Sequence, residues 1–117
     1  EKLLKLGKQP RTMTALAYQK GVKIALGTDS GVSPNGENAN EFVEYVNIGM
    51  SPMEALVAGT AGAAKAGGIE NVGRLAPGMA ADIVAMPASP LEDISAVLNL
   101  SFIMRDGIVF KQQGLPL

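Results

Sequence analysis

Val22-Lys23-Ile24-Ala25-Leu26-Gly27-Thr28-Asp29 is the stretch whose reading decides the fold. It is short, rich in branched and aliphatic residues, and runs out into polar ones, as a β-strand does. Just before it, Met13, Leu16 and Ala17 in residues 11–20 stand at helical spacing, and Gly21 occupies a usual helix stop. Helix, Gly, then a strand ending in polar residues is one unit of an alternating β/α fold. Asp29 closes the strand between Gly27-Thr28 and Ser30-Gly31, so its carboxylate is expected to project into the opening beyond the strand end. In β/α barrels that rim carries the active site. A carboxylate there can bind a divalent metal or accept a proton from a metal-bound water. It can equally cap a turn by accepting a main-chain N–H two residues on, and position alone leaves both roles open.

Working outward, residues 30–40 are mostly Gly, Ser, Pro and Asn and read as a loop. A second helix is predicted behind it, with Asn38 as cap, Glu41 three residues on, and an apolar stripe of Phe42, Tyr45 and Val46 ending at Gly49. Ser51-Pro52-Met53-Glu54 is a stronger start signal: Ser at the cap, Pro in the first turn, Glu placed to close a capping box. The helix it opens carries Met53, Leu56, Val57, Ala61 and Ala64 on one side and ends at Gly67-Gly68. Gly59 and Gly62 would each weaken it by about 1 kcal/mol against Ala, which is tolerable where the helix packs tightly. Capping accounts for Glu41 and Glu54, and the methionines read as core filler.

Past Gly68 the turn signals crowd together. Ala76-Pro77-Gly78 suits a type II turn, and residues 80–86 read as a strand. Pro87 and Pro90 bracket a turn, and residues 91–98 can hold a short helix. Residues 99–105 then alternate, with Leu100, Phe102 and Met104 on one face. Asp106-Gly107 is a type I′ hairpin signal leading into Ile108-Val109-Phe110, and the tail from Gln112 reads as frayed. A boundary near Gly68 therefore divides an α/β part, residues 1–68, from a β part, residues 69–117. Neither is self-sufficient, because one strand with three helices makes no sheet and three short strands bury little.

Composition narrows the function. The chain has 117 residues, 47% hydrophobic and 4% aromatic with no Trp, so one small core of aliphatic residues and Met is expected. A net charge of −1 gives no footprint for nucleic acid or an anionic membrane. No apolar run approaches the ~18–20 residues of a membrane span. There is no Cys, hence no disulfide framework and no thiolate metal site. There is also no His, which removes the commonest general base and zinc ligand. The opening Glu1-Lys2-Leu3-Leu4-Lys5 is too short and charged for a signal peptide, and a cytoplasmic location is the default. Numbering that opens on Glu1 rather than Met suits a chain beginning inside a longer protein, although a removed tag would look the same.

Five segments occur in this order and spacing: VKIALGTDSG (22–31), NANEF (38–42), GMSPMEAL (49–56), GRLAPGMAADIVAM (73–86) and PLEDISAVLNLSFIMRDGIVFK (90–111). Together they resemble the C-terminal end of the amidohydrolase superfamily, in the branch of imidazolonepropionase-like and prolidase-like enzymes. The resemblance implies that residues 22–28 are the last strand of a metal-containing β/α (TIM) barrel, with the following helices packed outside it. Residues 69 onward would belong to a small β-sandwich domain built from both ends of a full chain, incomplete here.

The resemblance further implies hydrolysis of C–N bonds in a small-molecule amide, cyclic amide or peptide, using a divalent metal expected to be zinc. Asp29 would touch that metal and carry the proton from the attacking water to the leaving nitrogen. Asn35 stands where relatives often carry a histidine; with Asn38, it is the substrate-binding candidate, and Glu37 and Asn40 lie nearby. Asp82 matches a recurrent position of the β-domain and is expected to bond a turn or strand end rather than to catalyse.

The resemblance implies that the other metal ligands are histidines on earlier strands, often with a modified lysine, and this chain has no histidine. The isolated chain is therefore expected to be inactive and without tightly bound metal. It is also expected to need the rest of the barrel or to self-associate, because Ile24 and Leu26 would lack covering strands. A different class remains open: a stand-alone, non-catalytic module that assembles with itself or a partner chain.

Overall fold

The structure, a computed structural model, describes residues 2–28 and 36–113. Helix α1 covers Lys2–Gln19, reaching further back than the predicted 11–20 and continuing through Pro10. It stops at Gly21, whose φ of +77° suits a residue without a Cβ. The N–H of Gly21 returns to Tyr18 O at 2.9 Å and that of Val22 to Ala17 O at 3.0 Å. These paired bonds satisfy carbonyls that a helix end leaves open. The same device closes the next helices at Gly49 (to Val46) with Met50 (to Tyr45), and at Gly68 (to Lys65) with Ile69 (to Ala64).

Residues 22–28 form no strand, which corrects the sequence reading. A strand exists through its neighbours, and none of the described residues runs alongside to form a ladder. The Leu26 N–H bonds the Ala58 carbonyl at 2.9 Å instead. The strand's alternation nevertheless persists: Ile24, Leu26 and Thr28 are half-buried, while Lys23, Ala25 and Gly27 are exposed. Ile24 and Leu26 pack against the core under the helices, so they do not form the uncovered face that the sequence suggested.

Helix α2 is Asn40–Asn47, and Asn38 does not cap it. The cap position is Ala39, at φ −65° and ψ −19°, with no side-chain bond. Main-chain carbonyls do the work that a side chain was expected to do. Asn40 N–H bonds Glu37 O at 3.0 Å, and those of Glu41 and Phe42 bond Asn38 O and Ala39 O, each at 3.2 Å. With those donors satisfied, no asparagine oxygen is required.

The capping box at Ser51 forms as expected: Glu54 N–H to Ser51 Oγ at 3.2 Å, and Ser51 N–H to Glu54 Oε2 at 2.8 Å. The helix behind it is not continuous. It divides into α3, Pro52–Gly59, and α4, Ala61–Ala66, at Thr60 with φ −124° and ψ −101°. The Thr60 hydroxyl donates to Leu56 O at 2.7 Å, a back-bond of the kind that bends helices. Gly59 earns its place just before the break, since a Cβ there would collide with the Phe42 ring.

Beyond α4, Met79 N–H bonds Ala76 O at 3.2 Å and Gly78 has φ +83°, which is the type II turn expected at Pro77-Gly78. Strands β1 (Ile83–Ala85), β2 (Phe102–Arg105) and β3 (Ile108–Gln112) make one antiparallel sheet in the order β1-β2-β3. Asp106 and Gly107 both have positive φ, 49° and 78°, as a type I′ hairpin needs. The predicted helix at 91–98 shrinks to a 3₁₀ turn over Ile94–Leu98, capped by Asp93, whose carboxylate accepts the Ser95 N–H at 2.9 Å.

The core is Tyr45, Met50, Ala55 and Ala58 from the helical part joined by Ile94 and Val97 from the 3₁₀ turn. It is small and rich in alanine. The radius of gyration is 15.6 Å, against about 13 Å for a closed domain of similar size. Val22, Met53, Val57, Leu75 and Phe110 are each roughly half or more exposed.

Candidate functional site

Two of the three candidate side chains, Asp29 and Asn35, lie outside the described residues. The third, Asn38, is exposed in the turn before α2, with Glu37 and Asn40 exposed beside it. The structure does describe the main chain that leads to Asp29 and what holds it. Tyr45, in the middle of α2 and 8% exposed, donates its hydroxyl to the Ala25 carbonyl at 3.2 Å. Burial pushes that hydroxyl's pKa above its ordinary value, the Glu41 carboxylate adds to this, and the Gly27 main-chain N–H pulls the other way. Leu26 is held from its own N–H by Ala58 of α3. Helices thus grip the run at successive residues.

A second tie joins α1 to α3. The Tyr18 hydroxyl donates to Glu54 Oε2 at 2.9 Å. The Ser51 main-chain N–H, then the Ser51 hydroxyl, then Tyr18 hold the Glu54 carboxyl below its ordinary range. The Tyr18 hydroxyl is pushed up chiefly by that same bond. Every partner in this cluster is spoken for by capping or by the helix tie, and it offers no group for chemistry. Asp82 behaves as expected from sequence: its Oδ1 accepts the Asp106 N–H at 2.7 Å and pins the hairpin turn to the entry of β1.

Next to the run 22–25 lies an open groove of about 560 Å³, lined by Tyr18, Val22, Ile24, Met53 and Val57 with Lys23 and Lys65 at its walls. Its lining is almost wholly apolar, which suits a packing surface better than a polar substrate.

A catalytic zinc normally takes three protein ligands. No group of three or more His, Cys, Asp or Glu comes together among the described residues, and the chain contains neither His nor Cys. The residues present do not by themselves fit a metal centre. No helix among the described residues is long and apolar enough to cross a membrane.

Sequence reasoning missed Tyr45 as anything but core. Its spacing with Phe42 and Val46 signals an apolar stripe, and nothing in the sequence announces that its hydroxyl reaches a carbonyl twenty residues away.

Comparison with known proteins gives these positions a setting. Residues 5–109 match the family model described as "Amidohydrolase family". The ochratoxinase of Aspergillus niger is 37% identical over 105 residues, 85% of this chain and 22% of that protein. The imidazolonepropionase of Deinococcus deserti is 34% identical over 84 residues, 69% of this chain and 21% of that protein. Among solved structures, a Xaa-Pro dipeptidase with methionine bound in its active site superposes with a TM-score of 0.86 at 40% identity, over 90% of this chain and 26% of that one. The chain therefore spans roughly a fifth to a quarter of the length of these relatives.

Proposed function

Since the chain belongs to the amidohydrolase family, we propose that it is the C-terminal part of a metal-dependent hydrolase of C–N bonds, in which Asp29 is a site residue. Proteins of the family are generally metal-dependent. The substrate class we infer is an amide, cyclic amide or peptide, which the amidohydrolase family match and the similarity to a Xaa-Pro dipeptidase support. Residues 1–68 would complete a β/α barrel and residues 69–117 would contribute strands to a β-domain shared with the rest of the protein.

The observation that carries this reading is the family match across residues 5–109 in a chain with no histidine. The alternation of the run before Asp29 supports it. Lys23, Ala25 and Gly27 are exposed, and on this reading Asp29 would share their side of the strand. A carboxylate on that side would face what the helices do not cover. When bound, a divalent metal, zinc by expectation, would polarise the carbonyl and acidify a water; this chain offers it one carboxylate, the other ligands coming from outside residues 1–117. Asp29 itself would accept the water's proton and deliver it to the leaving nitrogen. Asn38, with Asn35, would face the substrate from the loop.

The test compares the isolated chain with the full-length protein encoded by the same gene, on a panel of N-acyl amino acids, dipeptides and cyclic amides. The full-length protein is expected to hydrolyse at least one, while residues 1–117 alone show no turnover above background and no metal after chelation. Stoichiometric metal surviving chelation in the isolated chain would overturn this.

The half-exposed Val22, Met53 and Val57 favour a second reading, a non-catalytic module that assembles with itself or another chain. A single monodisperse assembly of residues 1–117 by light scattering would support that reading, and a polydisperse sample would count against it.

A further inference from the structure

We propose that Asp106-Gly107 is a site of spontaneous isoaspartate formation, held in check by the Asp82 carboxylate. The chemistry needs no reactant beyond water. The Gly107 main-chain nitrogen attacks Cγ of the Asp106 carboxyl in its acid form. The new N–Cγ bond closes a five-membered succinimide, and the amide proton leaves with the carboxyl OH as water. Hydrolysis then returns one water at either ring carbonyl. One opening restores aspartate; the other leaves the main chain running through the side-chain carbon, one methylene longer. Both residues are exposed at the tip of the β2–β3 hairpin, and Gly107 has no side chain to hinder the attack.

The native turn opposes ring closure. A succinimide nitrogen carries no proton, so the bond from the Gly107 N–H to Ala81 O, 3.1 Å, has to be given up. The Asp106 N–H is held in turn by Asp82 Oδ1 at 2.7 Å, a charge-assisted bond. Both bonds tie the turn to residues 81 and 82, so closure waits until the turn leaves them. Opening of an exposed turn costs less than global unfolding, and the rate follows the population of opened turns. Asp106 is also the non-glycine residue with positive φ among the described residues, 49°, so the closed turn is not a relaxed one. The isomerised product, with its extra methylene, no longer fits the two-residue turn that joins Arg105 to Ile108.

The experiment ages the full-length protein in neutral buffer below its thermal midpoint. Isoaspartate is then read by peptide mapping, with an isoaspartyl methyltransferase and a labelled methyl donor as the probe. Label is expected in the peptide containing residues 106 and 107. Asp82→Ala is expected to speed its appearance there by about tenfold or more, through loss of a hydrogen bond to a charged group. Asp82→Asn keeps an acceptor oxygen and should fall between the two. Asp106→Glu, whose longer side chain does not close a five-membered ring, should show no label. In denaturant, where the turn is open in every molecule, the wild type and Asp82→Ala are expected to label at equal rates. Absence of label from that peptide in Asp82→Ala, or equal rates for Asp82→Ala and wild type in native buffer, would overturn the proposal. So would an acceleration spread over the other peptides, which would report global unfolding, or a difference that persists in denaturant.

Discussion

Asp29→Asn in the full-length protein is expected to lower kcat by about 10²–10⁴-fold, the contribution typical of a positioned general acid–base group. The substitution keeps size and shape and removes the charge and the proton-accepting oxygen. Loss of rate with an intact thermal transition would therefore report on chemistry and not on folding. The prediction draws on three features. Asp29 follows a run whose alternation is visible in the burial of Ile24, Leu26 and Thr28. It stands in the sequence at the alternate positions of Lys23, Ala25 and Gly27, which are exposed. It is also the acidic residue of the VKIALGTDSG segment, whereas three of the other acidic residues have structural work: Glu54 caps α3, Asp82 holds the hairpin and Asp93 caps the 3₁₀ turn. An Asp29→Asn protein that retains wild-type kcat would leave Asp29 as a turn cap.

The largest stability effect is expected at Gly73. Its φ of +86° is one that residues with a Cβ adopt at a cost, and space is also lacking. A Cβ there would lie 2.9 Å from the Thr60 carbonyl oxygen, at the break between α3 and α4, and 3.0 Å from the Ala64 Cβ, a one-carbon side chain of α4. Neither can swing aside as the tip of a long side chain would. Gly73→Ala is expected to destabilise by about 2–4 kcal/mol, the sum of a strained backbone and an overpacked contact. Gly78 supplies the control, with φ +83° but nothing within 4 Å of its imagined Cβ. Gly78→Ala should therefore cost only the backbone part, about 1 kcal/mol. Denaturant unfolding of the two variants side by side separates the effects. Equal losses would show that the contact with Thr60 and Ala64 contributes nothing.

What the sequence made legible were features whose cause is local. The stops at Gly21, Gly49 and Gly68, the Ser51–Glu54 box, the Pro77-Gly78 turn and the Asp106-Gly107 hairpin each need only a few adjacent residues. Asp82 was read correctly as a hydrogen-bonding residue, although its partner lies 24 residues on. Features decided by alternatives or by distant partners were harder. Asn38 was expected to cap α2, but main-chain carbonyls reached the same donors first. The α3–α4 helix was expected to be continuous, because periodicity cannot show that Thr60 will bond back to Leu56.

Residues 22–28 carry a strand's composition and alternation, yet a strand needs a neighbour and the described residues provide none. The proposed site was legible only at Asp29, from one end of a strand pattern. Its remaining ligands would be histidines, a residue type absent from the chain, and Tyr45 reaches Ala25 by a fold-dependent contact that spacing does not encode.

The most direct test of the central claim, that the residues completing the site lie outside this chain, is to read the coding sequence upstream of the codon for Glu1. A frame continuing for several hundred codons, with a His-x-His pair near an early predicted strand, is the expected result. A start codon immediately before Glu1, or a long upstream frame without such a pair, would contradict the claim.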